Sequence, residues 1–130
     1  MIDISLIEFQ KGIRAVGVIV LNSDVKKLSN SYSIDAGVSD FDLFGVKIGH
    51  PIFKDGVEKV SKNNEISYLI ISNIDKVEEE KQNRFVGLVK DREFMGYSLP
   101  DNVIIVFTVE SENEIKKISG ELYHFCNVNV

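Results

Sequence analysis

The sequence offers few side chains whose types and spacing would support catalysis. Its two histidines, His50 and His124, lie far apart along the chain, and neither is placed to activate the single cysteine, Cys126. Ser72 follows an apolar run, but the G-x-S-x-G turn that exposes a hydrolase nucleophile does not surround it. We therefore predict that Cys126 is a small buried apolar side chain and that both histidines are ordinary loop or helix-end residues.

Acidic residues are more frequent, and they raise the question of a metal site. Asp75 is followed closely by the glutamates at positions 78–80. Acids in the first turn of a helix stabilise it through the helix dipole, so we interpret this run as a solvated helix N-terminus. No Cys or His cluster has the spacing of a zinc site. The sequence predicts no metal and no cofactor.

Composition and charge narrow the class of protein further. The chain has 130 residues, near the commonest size of a single domain, so one domain over residues 1–130 is predicted. The 20 acids against 15 bases give a net charge of −5, which argues against nucleic-acid binding because phosphates require clustered bases. The apolar run at residues 15–21 is far too short to span a membrane, and no basic leader precedes it. We expect a cytoplasmic protein.

Predicted strands and predicted helices alternate along the chain, and they must position these residues. Strands are predicted at residues 13–21, 31–35, 66–72 and 102–109, and residues 126–130 form a candidate fifth strand. The strongest of these runs are apolar at consecutive positions, which is typical of strands covered on both faces.

Helical patterns lie between the strands, at residues 53–62, 77–92 and 111–124. In the last of these, Ser111 and Glu114 have the spacing of a capping box, and Gly120 is a point at which the helix could divide. Residues 91–99 are predicted to form a small hairpin. The predicted fold is an α/β three-layer sandwich around a mainly parallel five-stranded sheet.

Five segments, taken in order, resemble the AAA+ ATPases, and most closely the branch that contains the MoxR-type and dynein-like ATPases. Phe41-Asp42-Leu43-Phe44-Gly45 is similar to an Asp-Leu-Leu-Gly segment, and residues 68–77 are similar to the Walker B strand with its Asp-Glu-Ile-Asp-Lys-Ala ending. Residues 83–94 resemble the family's helix that ends in Glu-Arg-x-Phe. Residues 99–108 resemble the strand that leads into sensor 1, and residues 121–125 resemble the segment that bears the arginine finger. The resemblance implies a reduced P-loop NTPase core.

The phosphate-binding loop of that family is absent from this sequence. No G-x-x-x-x-G-K-[ST] motif occurs, and only nine residues, 22–30, separate the first two predicted strands. A phosphate loop with a helix of ordinary length takes roughly twenty residues. No helical lid follows the last predicted strand either, so the resemblance covers a core without phosphate loop or lid.

Four further positions lack the chemistry that the family needs there. Ser72 stands where an Asp would hold Mg²⁺, and Asn73 stands where a Glu would activate the attacking water. Glu110 occupies the place of the sensor 1 Asn, and His124 that of the arginine finger. The resemblance therefore implies a non-catalytic pseudo-ATPase that serves as a protein-binding or assembly module.

The implied partner is a true AAA+ ATPase or a second copy of the chain. In related ATPases the region of residues 91–99 is a hairpin that touches partners, which makes Phe94, Met95 and Tyr97 candidate contact residues. Simple packing of this hairpin onto the sheet is the alternative.

Two other functions remain open at this stage. One is a small-ligand binder or enzyme that reuses the emptied cleft, which predicts a pocket where Asp75, Glu110 and His124 converge. The other is an unrelated, receiver-like α/β domain. Strand order separates the last from an AAA+ sheet, in which the first strand lies beside residues 102–109 and those lie beside the strand ending at Ser72.

Overall fold

A computed structural model describes residues 2–45 and 47–130 of the chain. Within these residues, a central sheet contains five strands, β1 (Gly17–Leu21), β2 (Ser31–Asp35), β3 (Ser67–Ser72), β6 (Val103–Val109) and β7 (Cys126–Val128). Their order across the sheet is β2-β3-β6-β1-β7, and each neighbouring pair is parallel. Strands β4 (Glu93–Phe94) and β5 (Tyr97–Ser98) form a separate antiparallel hairpin.

Short helices connect the strands. The α-helices are α1 (Ile4–Glu8), α2 (Asp40–Phe44), α3 (Lys54–Ser61), α4 (Glu79–Asn83), α5 (Val86–Asp91) and α6 (Gly120–Tyr123). Three 3₁₀ helices cover Asn22–Lys27, Ile74–Lys76 and Glu112–Lys117. None of the helices in the described part of the chain is long and apolar enough to cross a membrane.

Alternate residues of the strands enter two cores, one on each face of the sheet, because successive side chains of a strand point in opposite directions. Ile19, Leu69 and Phe107 face the first core, together with side chains of α2, α3, α5 and α6. Val18 and Ile70 face the second core, which α1 and the 3₁₀ helix Asn22–Lys27 cover. The α/β class and the parallel five-stranded sheet flanked by helices are thereby confirmed.

The helices depart from the predicted pattern in three places. The helix predicted at residues 77–92 is divided into α4 and α5, and the buried Phe85 between them packs against Phe107 with ring centroids 6.3 Å apart. The predicted capping box is wrong, because the Ser111 side chain makes no capping bond and residues 112–117 form a 3₁₀ helix. Ser119 instead caps α6, where its Oγ accepts the Leu122 N–H at 3.1 Å.

Two elements near the start of the chain also differ from the prediction. The first strand begins at Gly17, since the preceding residues form a turn in which Ala15 has a φ of 61°. Helix α1 was not predicted. It packs Ile7 into the second core, and the Asp3 carboxylate accepts the Leu6 N–H at its N-terminus.

Candidate functional site

The carboxyl ends of the parallel strands form the candidate site, which we call the carboxyl edge. β1 and β6 are neighbours, yet the chain leaves β1 toward β2 on one side and leaves β6 toward β7 on the other. In open α/β sheets, ligands bind outside the carboxyl ends of the strands at such a switch in direction. A nucleotide or other small ligand would be expected here.

The connection from β1 to β2 occupies the place where a phosphate loop would lie. It must pass two intervening strands and return along the sheet, about 14 Å sideways and about 16 Å lengthwise, or about 21 Å in a straight line. Its six-residue 3₁₀ helix rises about 12 Å, and the last three residues, which include the left-handed Asn30, lead into β2. An α-helix over the same six residues would rise only about 9 Å, so the 3₁₀ form carries the chain further across the gap.

This connection is too short to contain a phosphate-binding loop and its helix. Parallel strands are usually joined by a dozen or more residues, and this link has nine, at positions 22–30. It contains no glycine that would let backbone N–H groups curl around a phosphate. Lys27 of this link pairs with Asp24 at 3.0 Å, so one of its two cations is already bound to an acid.

Asn73 joins the carboxyl ends of four strands. Its backbone is left-handed, with a φ of 61°, and its N–H donates to Thr108 Oγ1 at 3.0 Å. Its side-chain Nδ2 donates to Asp35 Oδ1 at 3.3 Å, and its Oδ1 accepts from Asn22 Nδ2 at 3.1 Å. The Asn73 amide is thus engaged in a structural role that links these strand ends.

Ser72 has an equally local partner. Its Oγ donates to the carbonyl of Ile34 on the neighbouring strand β2 at 3.2 Å. A neutral hydroxyl is a weak ligand for a hard cation such as Mg²⁺. Among the described residues, no group of three or more His, Cys, Asp or Glu side chains could hold a metal ion.

Asp75, Lys76 and Glu110 make the rest of the carboxyl edge acidic. The Asp75 side chain is fully buried, and its Oδ2 accepts the Glu110 N–H at 3.3 Å. Lys76 is hydrogen-bonded to the Glu110 carboxylate, which raises the pKa of the Lys76 ammonium. Of the acids at this edge, Glu110 and Asp35 are exposed, and carboxylates in this position disfavour the phosphates of a nucleotide.

The three residues of the small-ligand alternative do not converge. Asp75 and Glu110 meet at the carboxyl edge, but His124 ends α6 two residues before β7 and therefore lies at the opposite end of the sheet. The exposed His124 ring packs edge-on against Phe125, with centroids 5.0 Å apart. A shallow groove of about 380 Å³ lies near this end, and none of the three residues lines it. Its lining residues are Ile115, Lys116, Ile118, Gly120 and Tyr123.

The predicted hairpin at residues 91–99 is present as β4 and β5. Phe94 and Tyr97 are 7% and 8% exposed, and both pack on Phe53, with centroids 5.6 Å and 6.3 Å away. Met95 at the tip is half-buried and also packs on the first core. This is the arrangement that the packing alternative predicts, and a contact role for the hairpin stays a prediction. Burial, with Glu58 and Asp55 nearby, raises the pKa of Tyr97 to about 12.

Two polar side chains within the segments of resemblance have purely structural contacts. Arg92 donates through Nη2 to the carbonyls of Pro100 at 2.7 Å and Val103 at 2.8 Å. Asn102 donates through Nδ2 to the carbonyls of Ser61 at 2.8 Å and Glu65 at 2.6 Å. These bonds attach the hairpin and the end of α3 to the start of β6.

Cys126 is partly buried beside Gly17. Burial raises the pKa of its thiol to about 12, so the sulfur is protonated and unreactive near neutral pH. This agrees with the interpretation of Cys126 as an apolar side chain.

Sequence reasoning missed three members of the carboxyl edge, Asn22, Asp35 and Thr108. Each lies at or directly after the end of a predicted strand, and the carboxyl ends of parallel strands meet at one edge. Applied to the predicted strands, the rule that their carboxyl ends meet would have placed these three side chains in one group. Compared with known proteins, the chain matches no model of a protein family and no curated protein.

Proposed function

We propose that this chain is a non-catalytic pseudo-ATPase, a reduced AAA+-like core of the MoxR and dynein-like type that acts as a cytoplasmic protein-binding or assembly module. The observation that carries the proposal is the β1–β2 connection. Its nine residues hold a six-residue 3₁₀ helix and no glycine, whereas a phosphate loop with its helix takes roughly twenty residues.

Strand order supports the AAA+-like part of the proposal. β1 pairs with β6, and β6 pairs with β3, which is the neighbour relationship that the resemblance implies. A receiver-like sheet of the flavodoxin type would instead place β1 between β2 and β3. Here β1 lies between β6 and β7, which favours the AAA+-like scaffold over the receiver-like one.

The chemistry of the carboxyl edge supports the loss of catalysis. Asn73 has no proton-accepting carboxylate, and its amide is committed to Asp35 and Asn22. The exposed Glu110 carboxylate adds negative charge where a γ-phosphate would approach. Arg92 and Asn102, by contrast, match the pattern of the family and hold the scaffold together. Residues that hold the fold together therefore match the family pattern, and residues that would act in catalysis do not.

Exposed apolar side chains support a role in binding protein. Phe9 and Phe41 are 84% and 74% exposed, and Ile48 is 94% exposed. Large aromatic side chains left in water are typical of protein-binding surfaces. The partner is a second copy of the chain or a true AAA+ ATPase.

Calorimetric titration of the full chain with ATP and Mg²⁺ tests the proposal. We expect no heat of binding at nucleotide concentrations up to about 1 mM, since a triphosphate finds neither a loop nor a cation cluster. Micromolar, Mg²⁺-dependent binding would overturn the proposal. In that case Lys27→Ala, with Lys59→Ala as the control in the last turn of α3 toward the amino end of β3, would show whether the short connection holds the phosphates.

A second variant distinguishes the effect of the missing Walker B acids from the effect of the missing phosphate loop. The double variant Ser72→Asp and Asn73→Glu restores the two acids of the Walker B motif. We expect it to hydrolyse no ATP, because restored acids still have no bound phosphate on which to act. Hydrolysis by this variant above the level of the unmodified chain would contradict the importance that we give to the connection.

A further inference from the structure

Strand β7 lies at one end of the central sheet and pairs with β1 on one side only. The Asn129 N–H, just after the strand, donates to the Ile19 carbonyl of β1 at 2.8 Å. Main-chain groups of successive strand residues point to opposite sides, so those of Cys126 and Val128 point away from β1. Within residues 2–45 and 47–130 these groups have no hydrogen-bond partner. We call this open side of the strand the β7 edge.

The β7 edge carries no charge. Residues 122–130 contain no Asp, Glu, Lys or Arg, although these four types make up 27% of the chain. Charged side chains and prolines are the usual means by which proteins prevent pairing at a sheet edge. The opposite edge strand, β2, has such a charge in the exposed Asp35, whereas β7 is limited only by its short length. The β7 edge is therefore the sheet edge at which two acidic chains repel one another less.

Apolar side chains accompany the open main-chain groups. Val128 is 40% exposed and lies on the same face of the strand as Cys126, which packs on the first core. Tyr123 of α6 is 45% exposed and lines the shallow groove described above, and α6 contacts β7. A strand added at the β7 edge would therefore place its alternate side chains beside an apolar surface, which is how sheet edges select an added strand.

The sequence of β7 is itself suited to this edge. Residues 126–130 read Cys-Asn-Val-Asn-Val, which is uncharged, apolar at alternate positions and symmetric in pattern about Val128. In a two-fold interface, if residue i contacts residue j of the other copy, then j also contacts i. A two-fold axis beside Val128 sets this residue opposite its own copy. It also sets Asn127 opposite the second copy's Asn129, and Cys126 opposite the second copy's Val130.

The same axis satisfies the main-chain groups. In an antiparallel pair, opposite residues alternately exchange two hydrogen bonds and none. Val128 points its groups outward, so it can be the hydrogen-bonded pair at the axis, and Cys126 with Val130 of the second copy forms the next such pair on either side. The three pairs would contribute about six main-chain hydrogen bonds. An axis beside Asn127 would fail, because the groups of Asn127 already face β1. One register therefore matches both side chains and main chain.

We propose that the β7 edge is the interface of a homodimer in which two β7 strands pair antiparallel and join two five-stranded sheets into one. This inference names a second copy of the chain as the partner for the proposed assembly role and rests on that role. The two can nevertheless fail separately, because nucleotide titration tests the pseudo-ATPase and the oligomeric state tests the dimer. A monomer that binds no ATP would overturn the dimer alone.

Sedimentation of the full chain between about 1 and 500 µM tests the dimer, and we expect a monomer–dimer equilibrium in this range. Val128→Pro should raise the dissociation constant at least about tenfold, because both bonds donated at the axis are lost. The Val128 N–H points away from β1, so proline leaves the β1–β7 ladder intact. Ser33→Pro is the matched control, since Ser33 of β2 likewise points its N–H away from its neighbour β3. It should leave the equilibrium unchanged, and circular dichroism should show both variants folded.

Opposite charges at the axis test the register itself. Val128→Lys alone and Val128→Glu alone should each weaken the dimer about threefold or more, since each places two like charges opposite one another. An equimolar mixture of the two variants should form a heterodimer at least about threefold tighter than either variant alone. A chain that stays monomeric at about 500 µM, a dimer unaffected by Val128→Pro, or a mixture no tighter than its components would overturn the proposal.

Discussion

Replacing Asn73 by alanine tests whether this residue is a structural link between strands. The change removes the Nδ2 bond to Asp35 and the Oδ1 bond from Asn22, while the backbone N–H remains able to donate to Thr108. It also places an alanine in a left-handed conformation, with φ at 61°, which asparagine tolerates better.

The expected loss can be worked out from these contacts. The partly buried bond from Asn22 contributes about 1 kcal/mol and the exposed bond to Asp35 about 0.5 kcal/mol. The left-handed backbone adds about 1 kcal/mol for alanine. The total of about 2.5 kcal/mol corresponds to a fall in Tm of about 8 °C for a chain of this size.

Urea unfolding followed by circular dichroism measures the change, and Asn73→Gly is the matched control. Glycine loses the same two hydrogen bonds but adopts the left-handed backbone without strain, so its loss should be smaller than that of alanine by about 1 kcal/mol. If Asn73→Ala unfolds within about 0.5 kcal/mol of the unmodified chain, the link between the strands carries no stability and the reasoning fails.

Two further predictions concern packing and pH. A Cβ at Gly56 would lie 2.2 Å from Tyr32 Cδ1, so Gly56→Ala should lower the free energy of unfolding by about 2 kcal/mol or more. A Cβ at Gly87 meets nothing within 4 Å, so Gly87→Ala should raise the free energy of unfolding by about 0.5–1 kcal/mol. Urea unfolding of both variants checks this pair, and equal effects would contradict the packing of α3 on β2. For Tyr97, the native pKa of about 12 lies above the ordinary value of 10.0, so the native state keeps a proton that the unfolded chain releases. Stability should therefore fall as pH rises through this window, and Tyr97→Phe should fall less steeply in unfolding experiments between about pH 9 and 11. An identical slope for both proteins would refute the assignment.

The strands were predicted well because their residues strongly favour the β conformation. Residues 102–109 are β-branched or apolar at almost every position, and the structure has β6 at Val103–Val109. The short helices were not predictable in the same way. α1 and α2 have five residues each, which is too few for a repeating apolar stripe, and their positions depend on the core that they cover.

The candidate site was predictable only in part, for a physical reason. Ser72 and Glu110 were placed by their positions directly after apolar strands. The role of Asn73 depends on which strands are neighbours, because its partners Asn22, directly after β1, and Asp35, at the end of β2, are far away in the sequence. Strand order is set by the packing of the whole sheet, and local patterns do not contain it.

The short link between β1 and β2 has more room to grow than to shrink. It has nine residues, where parallel strands are usually joined by a dozen or more, and removing one residue from its 3₁₀ helix would shorten it by about 2 Å. Lengthening is tolerated, since a longer surface loop costs little entropy. In evolutionary terms the connection can grow back toward a loop and helix more readily than it can lose further residues.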